Sequence, residues 1–396
     1  MRAPSTFVAA SLALITFGIT GCGSDETAKV EQPAPADISV LDVGGYATTP
    51  RTIGKQNIDR ARLTEGQRLG NYLPTPFEID SRFKFQSALS SNSVYGFIER
   101  IYTVGDTFTE DAPGFVGGFY SWAQTHEDIL VAEILSNAAM VFDSEASATA
   151  AADALARSQR ARKEGRVVAS IPGYADGHAF WDPARQELFT VKAHKQIVLY
   201  SVIKDSAKIE VGTTDFNAMS TLATKNWAAV QPRIDKFDPT PVDKLVDTEL
   251  DHDQLLGHSL SRQGEESQKN PPGIYNQQGA LHISTRPESD KKLFETAGVE
   301  WLGINATELY QTKDAKGAEL LSEEHSALNK ALRSADSPKG LPAARCDELK
   351  VKDSFTMRFH CTVAYDRYVI EARSNQLIDA HQRISAQYAM LAAKAK

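Results

Sequence analysis

From residue 129 to residue 232 the spacing of apolar positions changes several times. Ile129 to Ile134 is an apolar run with the length of a strand. Ala148, Ala151, Ala152 and Leu155 then recur at three- and four-residue steps, one face of a helix, and Ser144 stands where a side chain can cap it. Pro172-Gly173 marks a turn. Strands flank Asp182-Pro183-Ala184-Arg185, a turn in which the fixed φ of proline suits the second position. Ile197-Val198-Leu199-Tyr200 reads as a buried strand. Phe216, Met219, Leu222, Trp227 and Val230 return to helical spacing, with Thr214 or Asp215 as the cap and Pro232 as the stop.

The pattern recurs. Sliding the chain by 170 residues lays Ile129 on Val299, Ala148 on Ala318, Pro172 on Pro342, Phe189 on Phe359 and Leu199 on Val369, without a gap. Each copy reads as strand, helix, hairpin, third strand and closing helix. In the second copy Ala318, Leu321, His325 and Leu328 share a helix face, and a hairpin turns near Asp353-Ser354. A two-residue turn there sets Cys346 directly opposite Cys361. The last helix carries Leu377, Ala380, Ile384, Tyr388 and Leu391 on one side; Asp379 early and Lys394 and Lys396 late suit its dipole. The predicted fold is α+β: two related modules, each an antiparallel sheet with helices packed on one face. An N-terminal domain is expected over 38–235, a polar linker over 236–278 that includes Asn270-Pro271-Pro272-Gly273, and a C-terminal domain over 279–396. Residues 38–110 lie outside the repeat and are expected to wrap the first module, with helices near Arg60–Tyr72 and Val94–Tyr102.

The chain begins with a different kind of segment. Arg2 precedes the apolar run Phe7–Ile19, which falls short of the ~20 residues of a membrane span and suits the core of a signal peptide. Ile19-Thr20-Gly21-Cys22 resembles the lipobox of bacterial lipoproteins. The expectation is a signal peptide over 1–21, acylation of Cys22 and a flexible tether over 22–37, rich in polar residues and proline. One acyl chain holds weakly and two hold well, so the protein is expected on the extracytoplasmic face of the cell membrane, attached through lipid. Cys346 and Cys361 then remain as an even pair, which in an exported protein favours a disulfide. Two cysteines do not fill a zinc shell. A formal net charge of −8 argues against nucleic acid as a partner.

Motifs for chemistry are few. Gly257-His258-Ser259-Leu260-Ser261 imitates a nucleophile elbow, but Ser261 replaces the closing glycine and polar residues stand where a strand is needed. Asp251-His252-Asp253 with His258 offers metal-capable side chains without ligand spacing. His178 and His194 can approach across the first hairpin; ordinary strand histidines are the simpler reading. His325 lies on an apolar helix face and reads as a core histidine with a hydrogen-bond partner. Trp122, Trp227 and Trp301 fall in predicted elements, whereas Trp181 borders a turn, where a ring can stand exposed. No phosphate loop or HExxH is present, so no catalytic residue, cofactor or metal is assigned.

Several phrases together resemble a family. Leu41-Asp42-Val43-Gly44-Gly45-Tyr46-Ala47-Thr48-Thr49-Pro50-Arg51, Phe77-Glu78-Ile79-Asp80, the pair Cys346 and Cys361, Arg367-Tyr368-Val369 and Ala386-Gln387-Tyr388-Ala389-Met390-Leu391 are similar, in that order, to lipoproteins of mycobacteria, nocardiae and their relatives that carry a two-part domain of unknown function. Asp366 departs from the glycine turn the resemblance implies. The family brings no reaction and no catalytic residues. The functional expectation is a non-enzymatic envelope protein that binds an apolar cell-wall ligand or another envelope protein, with a cleft between the modules as its site. The alternative is an envelope hydrolase acting on esters or glycans.

Overall fold

The computed structural model describes residues 36–86, 112–161, 165–262, 271–352 and 356–394. The signal segment, Cys22, the tether before Ala36, the helix expected at Val94–Tyr102 and the Asp353-Ser354 turn lie outside the described residues.

The first module opens with α1 (Ile58–Gly70), capped by Asn57, whose side chain accepts from the Arg60 N–H. The single turn α2 (Pro76–Ile79) is closed by a capping box between Thr75 and Glu78. Then come β1 (Phe115–Gln124), β2 (Glu133–Phe142), α3 (Glu145–Ala161), β3 (Val167–Ala169), β4 (His178–Asp182), β5 (Glu187–His194), β6 (Ile197–Asp205), α4 (Ser206–Glu210) and α5 (Phe216–Ile234). The second module comprises β7 (Gly273–Asn276), α6 (Gln277–Leu281), α7 (Pro287–Ala297), β8 (Val299–Ile304), β9 (Glu308–Thr312), α8 (Ala315–His325), β10 (Leu332–Ala335), β11 (Arg345–Leu349), β12 (Phe359–Tyr365), β13 (Tyr368–Ser374) and α9 (Leu377–Lys394).

The sheets run β1-β2-β6-β5-β4-β3 and β7-β8-β9-β13-β12-β11-β10. Their named pairings are antiparallel. With β7 set aside, the second order repeats the first strand for strand. The two halves are therefore related modules, and the repeat is larger than its sequence trace: in the first copy it reaches back to β1, and each copy carries a short edge strand, β3 or β10, that the trace does not read as a strand. The trace also starts in the wrong place. Ile129–Val131 is a 3-10 turn with exposed side chains, and the strand begins at Glu133.

Helices cover both faces of each sheet, not one. The physical reason lies in the strands, which alternate but are apolar on both sides. Ile197, Leu199 and Ile203 of β6 join the core with Met219, Leu222 and Val230 of α5. Val198 and Tyr200 of the same strand pack with Ala148, Ala151 and Leu155 of α3. In the second module Cys361, Val363 and Ile370 pack with Ile384 and Tyr388 of α9, while Tyr310 and Val369 pack with Ala318 and Leu321 of α8.

Local expectations fare unevenly. The Ser144 hydroxyl accepts from the Ser147 N–H, and Asp215 caps α5. Pro232 does not stop α5, which runs to the buried Ile234; a proline there removes one N–H in the last turn and breaks little. Leu328 lies beyond α8 and is exposed. Trp181 is buried, tilted against Phe216 at 5.7 Å. Cys346 and Cys361 pair in register and are joined by a disulfide, with Cα atoms 4.1 Å apart. Asp366 holds φ 49°, the left-handed conformation for which glycine is the usual choice.

Two boundaries need correction. The stretch 236–278 is not an open linker: Phe237, Leu245, Leu255, Leu256 and Leu260 are buried, and Gly273–Asn276 is a strand of the second sheet. Residues 36–51 dock on the second module rather than the first. Leu41 joins the α9 core, the Ala36 N–H donates to Tyr388 Oη at 3.1 Å, and Tyr46 Oη donates to Asp379 at 2.5 Å.

Candidate functional site

From Ala36 onward the chain forms one unit, and α1 is the element shared by its two halves. Its approach to β1 requires glycine: a Cβ on Gly66 would lie 2.3 Å from the Gly118 carbonyl oxygen, and one on Gly117 would lie 2.4 Å from that of Arg62. On its other side α1 meets the second module. Gln67 donates to the Pro272 carbonyl at 3.0 Å, and Asn71 Oδ1 accepts the Asn276 N–H at 3.1 Å. Between α1, the segment 240–252 and the edge of the second sheet opens a cleft of about 520 Å³. Gln67, Asn71 and Tyr72 line it from α1, Asn276 from β7 and Trp301 from β8. His252 lies against Trp301 with ring centroids 4.1 Å apart. Lys244, Asp247 and Glu249 bring charges of both signs to the lining, which suits an uncharged polar ligand better than an ion.

The modules are also pinned by buried polar groups. Glu78 takes Lys291 of α7 at 2.8 Å, Arg233 of α5 at 3.0 Å and Gln278 of α6 at 2.8 Å. Burial alone would raise its carboxyl, but these donors and the Thr75 N–H bring it down to about 2. His282 sits between Ser121 at 2.8 Å and the Leu73 carbonyl at 3.0 Å, edge-on to Phe119. A carbonyl only accepts, so Nε2 carries the proton. Burial lowers the ring to about 4.

A second constellation lies between α8 and its sheet. Glu371, 1 % exposed, is met by His325 Nδ1 at 2.5 Å, His360 Nε2 at 3.0 Å and Arg373 at 2.7 Å. His360 Nδ1 faces Asp347 at 3.2 Å, and Arg373 also grips Glu308 at 2.5 Å. The His325 reading, a core histidine with a partner, holds. Its companions were missed in the sequence; their signal was single ionisable residues set among apolar neighbours in strands, as His360 in Phe359-His360-Cys361-Thr362-Val363 and Glu371 in Val369-Ile370-Glu371-Ala372.

The other candidates disperse. Ser259 is buried at a bend that follows the turn after the 3-10 helix His252–Gln254 and donates to the Leu255 carbonyl at 2.6 Å, so no elbow forms. Asp251 accepts the N–H groups of Leu256 and Gly257, His252 stacks on Trp301, and Asp253 turns to Gln311, so that run does not converge on an ion. His178 and His194 pair with Asp153 and Asp235, both at 2.9 Å, not with each other. Ligand atoms of Cys346, Cys361 and His381 lie within 4.8 Å of one another. Both sulfurs are spent in the disulfide, and His381 donates to the Asp336 carbonyl at 2.7 Å, so this trio is not a metal site.

No match to a curated protein is found. The extracellular domain of PknH from Mycobacterium tuberculosis is 12% identical, covers 47% of this chain and 100% of that one, and superposes with a TM-score of 0.28, too low for any inference. Family models match both halves: the N-terminal part of a domain of unknown function (DUF7373) at residues 53–250, and its C-terminal part at 255–394. With both parts present in order, over most of its length, the chain belongs to the DUF7373 family.

Proposed function

We propose that the protein is a lipid-anchored, extracytoplasmic binding protein of the mycobacterial and nocardial lipoprotein type, and that its ligand seats in the cleft between the modules. The anchor is supported by the order of Arg2, the apolar run Phe7–Ile19, the lipobox-like Ile19–Cys22 and the polar leash that follows. The observation that carries the binding reading is the cleft of about 520 Å³, a size ordinary for small-molecule sites. It combines two rings, Tyr72 and Trp301, with the amide NH2 groups of Asn71 and Asn276, whose oxygens accept backbone N–H groups. Flat apolar faces beside hydrogen-bonding amides fit a polar ligand with one apolar face, such as a sugar ring, better than a purely apolar cell-wall lipid or the flat surface of another envelope protein. The hydrolase alternative draws less support. The described set nearest to a triad, Thr362, His360 and Asp347, has its hydroxyl fully buried, away from any substrate.

Native mass spectrometry on gently extracted protein tests the site. A bound mass is expected on the wild type and should be lost when Tyr72→Ala and Trp301→Ala are combined, since removing aromatic anchors weakens binding by about ten- to a hundredfold. Equal occupancy of the double variant would refute the assignment. Cys22→Ala should release the protein from the membrane fraction; unchanged retention would refute the anchor alone.

A further inference from the structure

Because the two sheets share one strand order, each rung of one has a counterpart in the other. The register is fixed by two matching turns, Lys195-Gln196 and Asp366-Arg367, whose first residues both hold positive φ, 54° and 49°. Counted from these turns, the α3 face of the first module pairs Ala138 with Tyr200, Val202 with Phe189 and Phe189 with Phe180. On the α8 face of the second module the same rungs pair Glu308 with Glu371, Arg373 with His360 and His360 with Asp347. At equal distances from their caps, Ser144 and Asp314, stand Leu155 in α3 and His325 in α8. One fold is thus built twice in one chain, once around apolar side chains and once around ionisable ones. The first module also buries charge near this face: Arg166 stacks 3.9 Å above Phe189 and lies 3.8 Å from the buried Asp182.

That internal comparison separates packing from purpose. Removing charges from water costs several kcal/mol per ion, and apolar replacement of such clusters is often neutral or stabilising. The first module demonstrates that apolar residues satisfy these rungs. Among the groups facing α8, the buried carboxylates and their close neighbour are Asp347, Glu371 and Glu308, against the guanidinium of Arg373, while the exposed Arg345 of β11 meets Glu323 of α8 at 3.8 Å. Asp290 on α7 is occupied by Ser284 and Arg286, and Tyr310 contributes a neutral phenol. His360 has a carboxylate on each ring nitrogen, and ionised carboxylates only accept, so both nitrogens must donate.

We propose that the α8 face of the second module is a proton-binding site, in which His360 holds a proton between Asp347 and Glu371 and its release loosens α8, tied to Glu371 through His325, from the sheet. Burial works against charge on His360, yet Asp347 and Glu371 hold its ring above the ordinary imidazole range. Glu371 stays well below the usual carboxylate range: burial opposes its ionisation, but the neighbouring His325 and Arg373 prevail. For a group raised on folding, the stabilisation is complete below about pH 6.5 and is lost as pH rises through the folded value. This inference does not depend on the cleft.

Hydrogen exchange on the full chain, corrected for intrinsic rates, tests it from pH 6 to pH 9. Protection of residues 315–325 should fall by at least about tenfold, the equivalent of one unit of pH linkage, while 145–161 in the apolar counterpart should hold steady. Replacing the cluster with its first-module counterparts (His325→Leu, Asp347→Phe, His360→Phe, Glu371→Tyr, Glu308→Ala and Arg373→Val) should abolish the pH dependence. Should that variant not fold, the wild-type comparison of the two helices decides on its own. Equal, pH-independent protection of both helices overturns the proposal.

Discussion

Glu78 gives the sharpest test of how the modules are held together. Its carboxylate is buried at the junction of α2, α5, α6 and α7, with Lys291, Arg233, Gln278 and the Thr75 N–H around it. A fall from the ordinary 4.5 to about 2 means that the charged form favours the folded state by roughly 3 kcal/mol. Glu78→Gln keeps the size and one acceptor but removes the charge. Arg233 and Lys291 are partly exposed and recover some hydration, so the expected loss at pH 7 is about 2–3 kcal/mol. The sign follows from the lowered value: the contribution is fully present above 4.5 and lost as pH falls toward 2. Urea unfolding at pH 7 and at steps between pH 5 and pH 2.5 measures both effects. The wild type should weaken across that window, and the variant should lack that part of the slope. A variant within about 0.5 kcal/mol of wild type at pH 7, with its acid slope unchanged, would show that Glu78 does not pin the modules.

Three further outcomes are expected. His282, lowered by burial to about 4, should make stability fall as pH drops from 6.5 toward 4, and His282→Asn should remove that segment of a pH–melting profile. Cys346→Ser with Cys361→Ser opens a loop of sequence separation 15 and should cost about 3 kcal/mol in chemical denaturation, matching wild type measured in reductant. Gly66→Ala drives a methyl toward the Gly118 carbonyl; it should destabilise the chain by about 2 kcal/mol or more by thermal unfolding, whereas Gly54→Ala, which meets open space, should not.

The sequence carried local information well. Caps such as Ser144 and Asp215, the turn before Arg185 and the rung joining Cys346 to Cys361 are decided by neighbours in the chain, and all could be read. β1 escaped because Gly117-Gly118 breaks its apolar pattern, and those glycines answer to α1, an element far away in sequence. The gap-free slide placed Leu199 on Val369, whereas the rungs place Val198 there; matched turns, not matched residues, set that register. The cleft was anticipated only as a space between modules. Its lining comes from α1 and from the stretch taken for a linker, whose polar composition hid Leu245, Leu255 and Leu256 inside. The cluster around Glu371 draws residues from four strands and a helix, so no spacing could announce it.

The docking of residues 36–51 on α9 bears on the order in which the molecule can be assembled. Leu41 and Tyr46 are made well before the surface they cover: Tyr46 and Asp379 stand 333 residues apart, and Ile384 and Tyr388 come later still. That layer of the core must wait until α9 has been synthesised. Damage within α9 would therefore strip the segment around Leu41 and Tyr46 of its seat.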